Sequence, residues 1–556
     1  MTYGDVVGGR WGCRAVAVIS PSKWPGSRSN TRLPSADPVS ERATLFLIRR
    51  TLCSQLGEKG RSTPSPIDEI LPPLTSSNEV DLQLYAFIAI IIREFVQTWY
   101  SKITPDQVFV EEVVNVIAHC TRALEQRLRN VDLESLFFDE LPELLEVHVQ
   151  AYRTAHRPFN PRPFQSNPRE IYHSICPFPA LSPVPHLESE SSIQQQKENE
   201  AVYRQLLVQG VLAVLLPTED LENDCLMAIV GQIFSEMILG GAIGGKASEP
   251  WLLWEGITKL AEAIQGRLRN KSNTQVGFDG SLTDGKGPAA FDISGRSSKS
   301  WRIGQAIQNT FWLVLQYIFL ALSVARLVVI TVASSTHLPS RIAPTMKVTG
   351  SVPLEDEVEP PRLTNSNTAP KGRVTATKQP ILKMKMWSCA AVLLDLSVRM
   401  PWLSAAISMV QWAAVAGPGE VGNTDGILDK LLSDAIQRHI LDPSLLPLLL
   451  RTARAALFPN NAPAPPRQIP SAPEQLLIRR RGAEAILSLV PPKIQEVYFG
   501  PGEERRVNEV EELLNILDDS YCNKHLMYGA VELILTRLMP ELAEKGVEEL
   551  LEERLS

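Results

Sequence analysis

Apolar positions recur at helical spacing along most of this chain, and long polar or proline-rich intervals divide them into blocks. Leu82–Tyr100, LQLYAFIAIIIREFVQTWY, predicts a dense apolar helix. Thr104, Pro105 and Asp106 then read as a helix start: a capping hydroxyl, a proline at the first helical position and an acid in the first turn. In the helix that follows, Val110, Val113, Val114, Ile117, Leu124 and Leu128 fall on one face. VDLESLFFDELPELLEVHVQAYRTA predicts one or two more helices. Residues 157–190 carry prolines throughout and are expected to form a loop, with aromatic side chains available to lie against a core. Helices resume over Ile193–Leu216 and restart at Glu219–Leu239 after Pro217 and Thr218. They continue in PWLLWEGITKLAEAIQGRL.

The remaining intervals punctuate this pattern. Residues 1 to about 40 read as disordered, 270–300 as a Gly/Ser-rich polar linker, and 334–380 as a second linker rich in Pro, Thr and Ser. A final helical block runs from Ile381 to Ser556, interrupted by the proline-rich segment Asn460–Pro473. No run of alternating residues suggests strands and no fixed-period repeat stands out, so the expected fold class is all-α, two helical domains joined by long linkers.

Between the linkers, residues 305–333 predict a long apolar helix. Its core, TFWLVLQYIFLALSVARLVVITVA (Thr310–Ala333), holds one formal charge. As a helix it spans roughly 36 Å, enough for a hydrocarbon layer of about 30 Å. Asn309, Gln316, Ser323 and Arg326 fall within about 100° of arc and leave a broad apolar remainder. Arg326 would cost ~2.5–3.5 kcal/mol at a bilayer centre, which the apolar residues could offset. Hydropathy therefore fits a membrane span and a buried helix of a folded protein equally.

Composition narrows the classes. The chain has 556 residues, 44% hydrophobic and 21% charged, enough to bury more than one core. Its net charge of −7 gives no global pull towards nucleic acid or anionic lipid, so a basic site must be local. Seven scattered cysteines without a C-x-x-C suit reduced thiols rather than a disulfide framework. The first twenty residues have too short an apolar run for a signal peptide, and Asp5 argues against a transit peptide.

Candidate chemistry is sparse. GGAIGGKAS (Gly240–Ser248) approaches a phosphate-cradling loop through Gly240, Gly245 and Lys246, but Ala247 stands where a hydroxyl should coordinate magnesium. The residues before it read as helix, not strand, so a helix end closed by glycines is the expectation. His119 and Cys120 have no metal-ligand spacing with other residues, and no nucleophile elbow or isolated carboxylate pair is present. The expectation is a non-enzyme without metal or cofactor. Lys371, Arg373, Lys378, Lys383 and Lys385 form an acid-free basic cluster beside an apolar helix. It could meet anionic headgroups at about 1 kcal/mol per residue near the surface, against the blander reading of a solvated linker end. Arg479, Arg480 and Arg481 open a helix and are expected to face solvent.

Two regions resemble known domains. From about Leu82 to Leu268 the chain resembles the PX-associated (PXA) domain. The likeness is carried by WYSKITPDQVFVEEV, by ALEQRLRNVDLESLFFDELPELLEVHVQAYR and by LLPTEDLENDCLMAIVGQIFSEMIL, in that order. The block 381–556 resembles the sorting-nexin C-terminal domain through LLDLSVRMPWLSAAISMVQW, LLPLLLRTARAALFP, LVPPKIQEVYFG and NKHLMYGAVELILTRLMPEL. The resemblance implies that the two domains join into one helical body with an apolar cavity for lipid. It also implies a non-catalytic role at endosomal, ER or lipid-droplet membranes. The chain departs from that pattern in two places: 270–380 lacks the features of a PX or RGS domain, and nothing before Leu82 is apolar enough for a membrane hairpin.

If the blocks join, a span through Thr310–Ala333 would place them on opposite sides of a membrane. A buried role is therefore favoured for this helix, with Leu313, Ile318, Leu322 and Val329 as cavity candidates and the five basic residues as headgroup candidates. The expected partners are lipid or a membrane surface and trafficking proteins, with no nucleic acid. The expected place is the cytoplasm, peripheral on endosomal or ER membranes. An interaction scaffold without lipid cargo and a single-span membrane protein are the alternatives.

Overall fold

The computed structural model describes residues 40–53, 67–104, 108–157, 167–186, 189–276, 315–320, scattered positions from 322 to 341, 378–417, 419–462 and 468–556. The N-terminal 39 residues, the 277–314 interval and most of the second linker lie outside this set. Among the described residues every regular element is helical. The main helices of the first half are α1 (Glu41–Leu52), α2 (Asn78–Ile91), α3 (Val108–Leu128), α4 (Leu141–His156), α5 (Pro168–Ile175), α6 (Glu190–Leu215), α7 (Asp224–Ala247) and α8 (Pro250–Val276). Those of the second half are α9 (Met386–Leu393), α10 (Pro401–Ala416), α11 (Ile427–His439), α12 (Leu446–Leu457), α13 (Ala472–Leu489), α14 (Pro492–Phe499), α15 (Glu503–Leu514), α16 (Ser520–Leu538) and α17 (Val547–Leu555).

Local chemistry explains most boundaries. The Ser40 hydroxyl accepts from the Ala43 amide at the start of α1, and Asn223 accepts from Leu226 at the start of α7. α13 opens with a capping box: the Ser471 side chain and Glu474 satisfy each other's backbone amides, and Ala472–Pro473 follow at the first helical positions. Pro217 closes α6 at Leu215 and a short helix restarts at Thr218, as expected. Pro491 and Pro492 open α14.

Two local expectations change. The proline-rich 157–190 segment contains α5, where Asn167 caps and Pro168 takes the first helical position; proline density hid a helix start. Thr104 closes the preceding helix Thr98–Ile103 in extended geometry, and α3 begins at Val108 after residues 105–107, which lie outside the described set.

The two halves do not form separate bodies. The largest core draws Val149, Tyr152, Tyr172, Leu181, Trp251 and Trp254 from the first half. Ala483, Leu487, Phe499, Val510, Leu514, Tyr521 and Tyr528 come from the second. α8 lies along α13, which lies along α15, and α16 rests on α4 and α7. A further core joins Ala213–Leu215 of α6 to Met539 and Leu550. A third cluster holds α1 and α2 with Phe458 against it, and α12 crosses α2. The physical cause is amphipathicity: α4, α6 and α8 each have more apolar surface than their own half covers, and helices of the second half bury it.

Candidate functional site

Burial of polar groups is concentrated along the seam between the halves. Arg341, in the segment expected to be linker, is buried. Its guanidinium reaches Glu134 in the first half at 2.9 Å and Asp429 of α11 at 2.6 Å. The Arg341 amide also donates to Asp425 at 2.6 Å, and Asp429 accepts from the amides of Ile381 and Asp425 at 2.8 and 3.1 Å. One cation thus holds carboxylates from both halves in a region shielded from water, where losing Arg341 would leave two buried carboxylates uncompensated.

A second polar cluster explains the glycine-rich run. Glu200 of α6 accepts from the Tyr528 hydroxyl at 2.7 Å and from Lys524 at 3.1 Å, while Arg204 pairs with Glu200 and Glu236. Burial alone would raise the Glu200 pKa; Lys524, Tyr528 and Gln196 overcome that and hold its carboxyl below the usual range. Gly244 lies directly under Tyr528. A Cβ there would fall inside contact of the Tyr528 hydroxyl and 2.9 Å from Cζ, and one at Gly240 would lie 3.0 Å from Arg204 Nε. The helix runs on through these glycines to Ala247 rather than ending at them. The glycines of GGAIGGKAS therefore let side chains of α6 and α16 approach, and nothing about them implies a phosphate. Asn523, fully buried on α16, completes the seam by donating to Ser248 O at 3.0 Å and Leu517 O at 2.8 Å.

The third feature is apolar surface left uncovered. α10, PWLSAAISMVQWAAVA, has no charged residue, and Trp402, Met409 and Trp412 are 67%, 71% and 69% exposed. With Val410 they occupy roughly 160° of one helical face. α7 is long and apolar enough to cross a membrane, yet only 11% of its apolar window is buried. Ile229, Phe234, Met237 and Ile238 point outward, while Ser235, Leu239 and Gly244 fix it to α6 and α16. The described positions between 315 and 335 are helical, and those from Gln316 to Ala333 are exposed; Ser335 and then Arg341 are the first buried residues. Contiguous exposed apolar helices mark surfaces that meet lipid or protein.

The candidates from sequence distribute as follows. Ile318, Leu322 and Val329 are 51%, 61% and 66% exposed, and Leu313 lies outside the described residues. The sequence reading favoured a buried role for this helix; at the described positions it stands away from the protein, tethered at its C-terminal end. Of the basic cluster, Lys371 and Arg373 lie outside the described residues and Lys383 is exposed. Lys378 pairs with Asp132 at 3.0 Å and Lys385 with Glu143 at 3.4 Å, so both reach acids of the first half. Arg479 does not face solvent: it donates to Asn515 at 2.7 Å and lies over the Trp254 ring. His119 is exposed. Sequence reasoning passed over Arg341, because a single arginine in a polar segment carries no periodic signal. It also passed over the exposed face of α10, because an uncharged helix of sixteen residues falls short of a span.

The class of protein follows from these features: an all-helical body built from two interleaved halves. Residues 77–260 match the family model of the PXA domain. The chain carries a PXA domain over these residues and is distantly related to PXA domain protein 1 of Schizosaccharomyces pombe, with 30% identity over 182 residues, 33% of this chain and 34% of that protein. Human sorting nexin-25 is 28% identical over 115 residues, 21% of this chain and 13% of that one. An uncharacterised protein of Saccharomyces cerevisiae is 24% identical over 199 residues, 35% of each chain. The chain therefore spans about a third of the length of the yeast relatives and less of the sorting nexin. No solved structure matches it.

Proposed function

We propose that this protein is a non-catalytic, lipid-binding membrane-trafficking protein that associates peripherally with endosomal or ER membranes, its second half being a domain of the sorting-nexin C-terminal type. The observation that carries this reading is the uncharged, outward face of α10 with Trp402, Met409 and Trp412 exposed together. α7 and the described helical positions between 315 and 335 extend the same property. The relation to sorting nexin-25 supports trafficking, and the cores shared between the halves agree with the two-domain body that the resemblance implies. Acyl chains, in a bilayer or as bound lipid, are the natural cover for such surface, including that of Ile318, Leu322 and Val329.

Because Lys378 and Lys385 are already paired within the protein, attachment rests on apolar burial more than on charge. Burying each large apolar side chain gains on the order of 1.5 kcal/mol or more. Flotation with neutral phosphatidylcholine vesicles tests this: the purified chain is expected to float and to stay bound in 0.5 M salt, where charge-driven binding would be screened at about 4 Å. Aspartate at Trp402, Met409 and Trp412 should release it without unfolding. A folded, monomeric protein that carries no lipid and ignores vesicles would favour the scaffold reading instead.

A further inference from the structure

A cavity of about 210 Å³ opens at the seam between α4, α5 with the turn after it, and α16. Leu144, Val147, Ile175, Pro177, Phe178 and Leu526 supply its apolar wall. His148, Tyr172, Cys176 and His525 supply the polar groups. Two of these satisfy each other: His148 Nδ1 lies 2.8 Å from the Tyr172 hydroxyl, and His148 Nε2 reaches Ile516 O at 3.2 Å. The tautomer consistent with both carries its proton on Nε2 and accepts at Nδ1.

His525 is different. It is 95% buried, and among the described residues neither ring nitrogen has a hydrogen-bond partner. Its neighbours are rings: Tyr521 at 5.0 Å, Tyr172 at 5.2 Å, His173 at 5.3 Å and Phe178 at 5.9 Å between centroids. A buried polar group left unpaired costs about 1–3 kcal/mol, so a native site that keeps one beside a void asks for an occupant.

We propose that this cavity binds a small, neutral, amphipathic molecule: an apolar body no larger than one or two rings, bearing a hydroxyl or N–H that hydrogen-bonds His525. Size sets the upper bound, since an engineered apolar cavity of about 150 Å³ accommodates benzene. Neutrality follows from the wall, which holds no formal charge: an ammonium would find no carboxylate there, and a carboxylate no cation. The hydroxyl or N–H follows from the unpaired imidazole. Because α4 and α5 belong to the first half and α16 to the second, the occupant bridges both and stabilises their union by mass action.

The test uses the full chain and three probes: phenol, indole and toluene. Calorimetric titration and thermal melting should show phenol and indole binding and raising the melting temperature, with toluene at least fivefold weaker. His525→Phe should keep toluene binding while removing the advantage of phenol. Val147→Trp, which fills the cavity from a half-exposed position, should abolish all three. Wild-type protein that binds none of the probes at millimolar concentration overturns the proposal. So does equal binding of phenol and toluene, which would assign the cavity a purely apolar or water-filled role.

Discussion

The buried histidines make the joined halves sensitive to acid, and the size of the effect can be worked out. Burial pushes the His525 pKa down to about 3, helped by His173 and His148, and pushes His148 down to about 4. Both imidazoles are neutral in the folded protein at pH 5.5, whereas in the unfolded chain, with an ordinary value near 6.5, about nine in ten are protonated. The unfolded state therefore binds more protons, and stability falls as pH drops through 6.5 and keeps falling towards the folded values. Between pH 7.5 and 5.5 each residue removes about 1.4 kcal/mol, so the pair removes about 2.7 kcal/mol, close to a hundredfold in the folding equilibrium. The groups facing His525 are Tyr172, His173, Tyr521 and His148, none of them an acid that would stabilise an imidazolium. His173 is itself shifted down by burial and acts in the same direction. Glu200 is held below its usual range, remains ionised throughout this window and contributes little to the slope. The assay is chemical denaturation at both pH values, comparing wild type with His525→Phe. Phenylalanine keeps the ring contacts and loses no hydrogen bond, so the variant should hold its stability at pH 7.5 and lose about 1.4 kcal/mol less on acidification. An identical pH dependence in the two proteins would refute the reasoning.

Other consequences follow from the seam. Arg341→Met leaves Glu134 and Asp429 buried without their shared cation and should destabilise the chain by about 3–5 kcal/mol, seen as a lowered denaturation midpoint; an effect below 1 kcal/mol would contradict the buried clasp. Gly244→Ala drives a methyl group against Tyr528 and should cost about 1–3 kcal/mol, whereas Gly231→Ala, with nothing within 4 Å, should be neutral or stabilising. Asn523→Leu removes two buried donations, to Ser248 and Leu517, and strands both carbonyls; a loss of about 1–3 kcal/mol is expected in the same assay.

The sequence by itself settled the helical class. The 3.6-residue spacing of apolar positions in α3, α4 and α6, with Pro217 and Pro491 at boundaries, is local information that backbone geometry reads directly. It also carried the PXA resemblance, which the match over residues 77–260 supports. α5 was obscured because the proline that starts a helix and the proline that breaks one are the same residue, and only the Asn167 cap separates the two cases. What the tertiary structure alone decided is which apolar face finds protein. Hydropathy gives Thr310–Ala333, α7 and α10 the same character as the buried core helices. Burial is a relation between segments far apart in the chain, and the outward faces of these three are left uncovered at their described positions. The same holds for charge: Arg341 looks like an isolated basic residue and Lys378 like part of an acid-free cluster until folding brings Glu134, Asp429 and Asp132 beside them. Periodicity records what each helix needs to bury, and only the assembled chain determines whether anything is there to bury it.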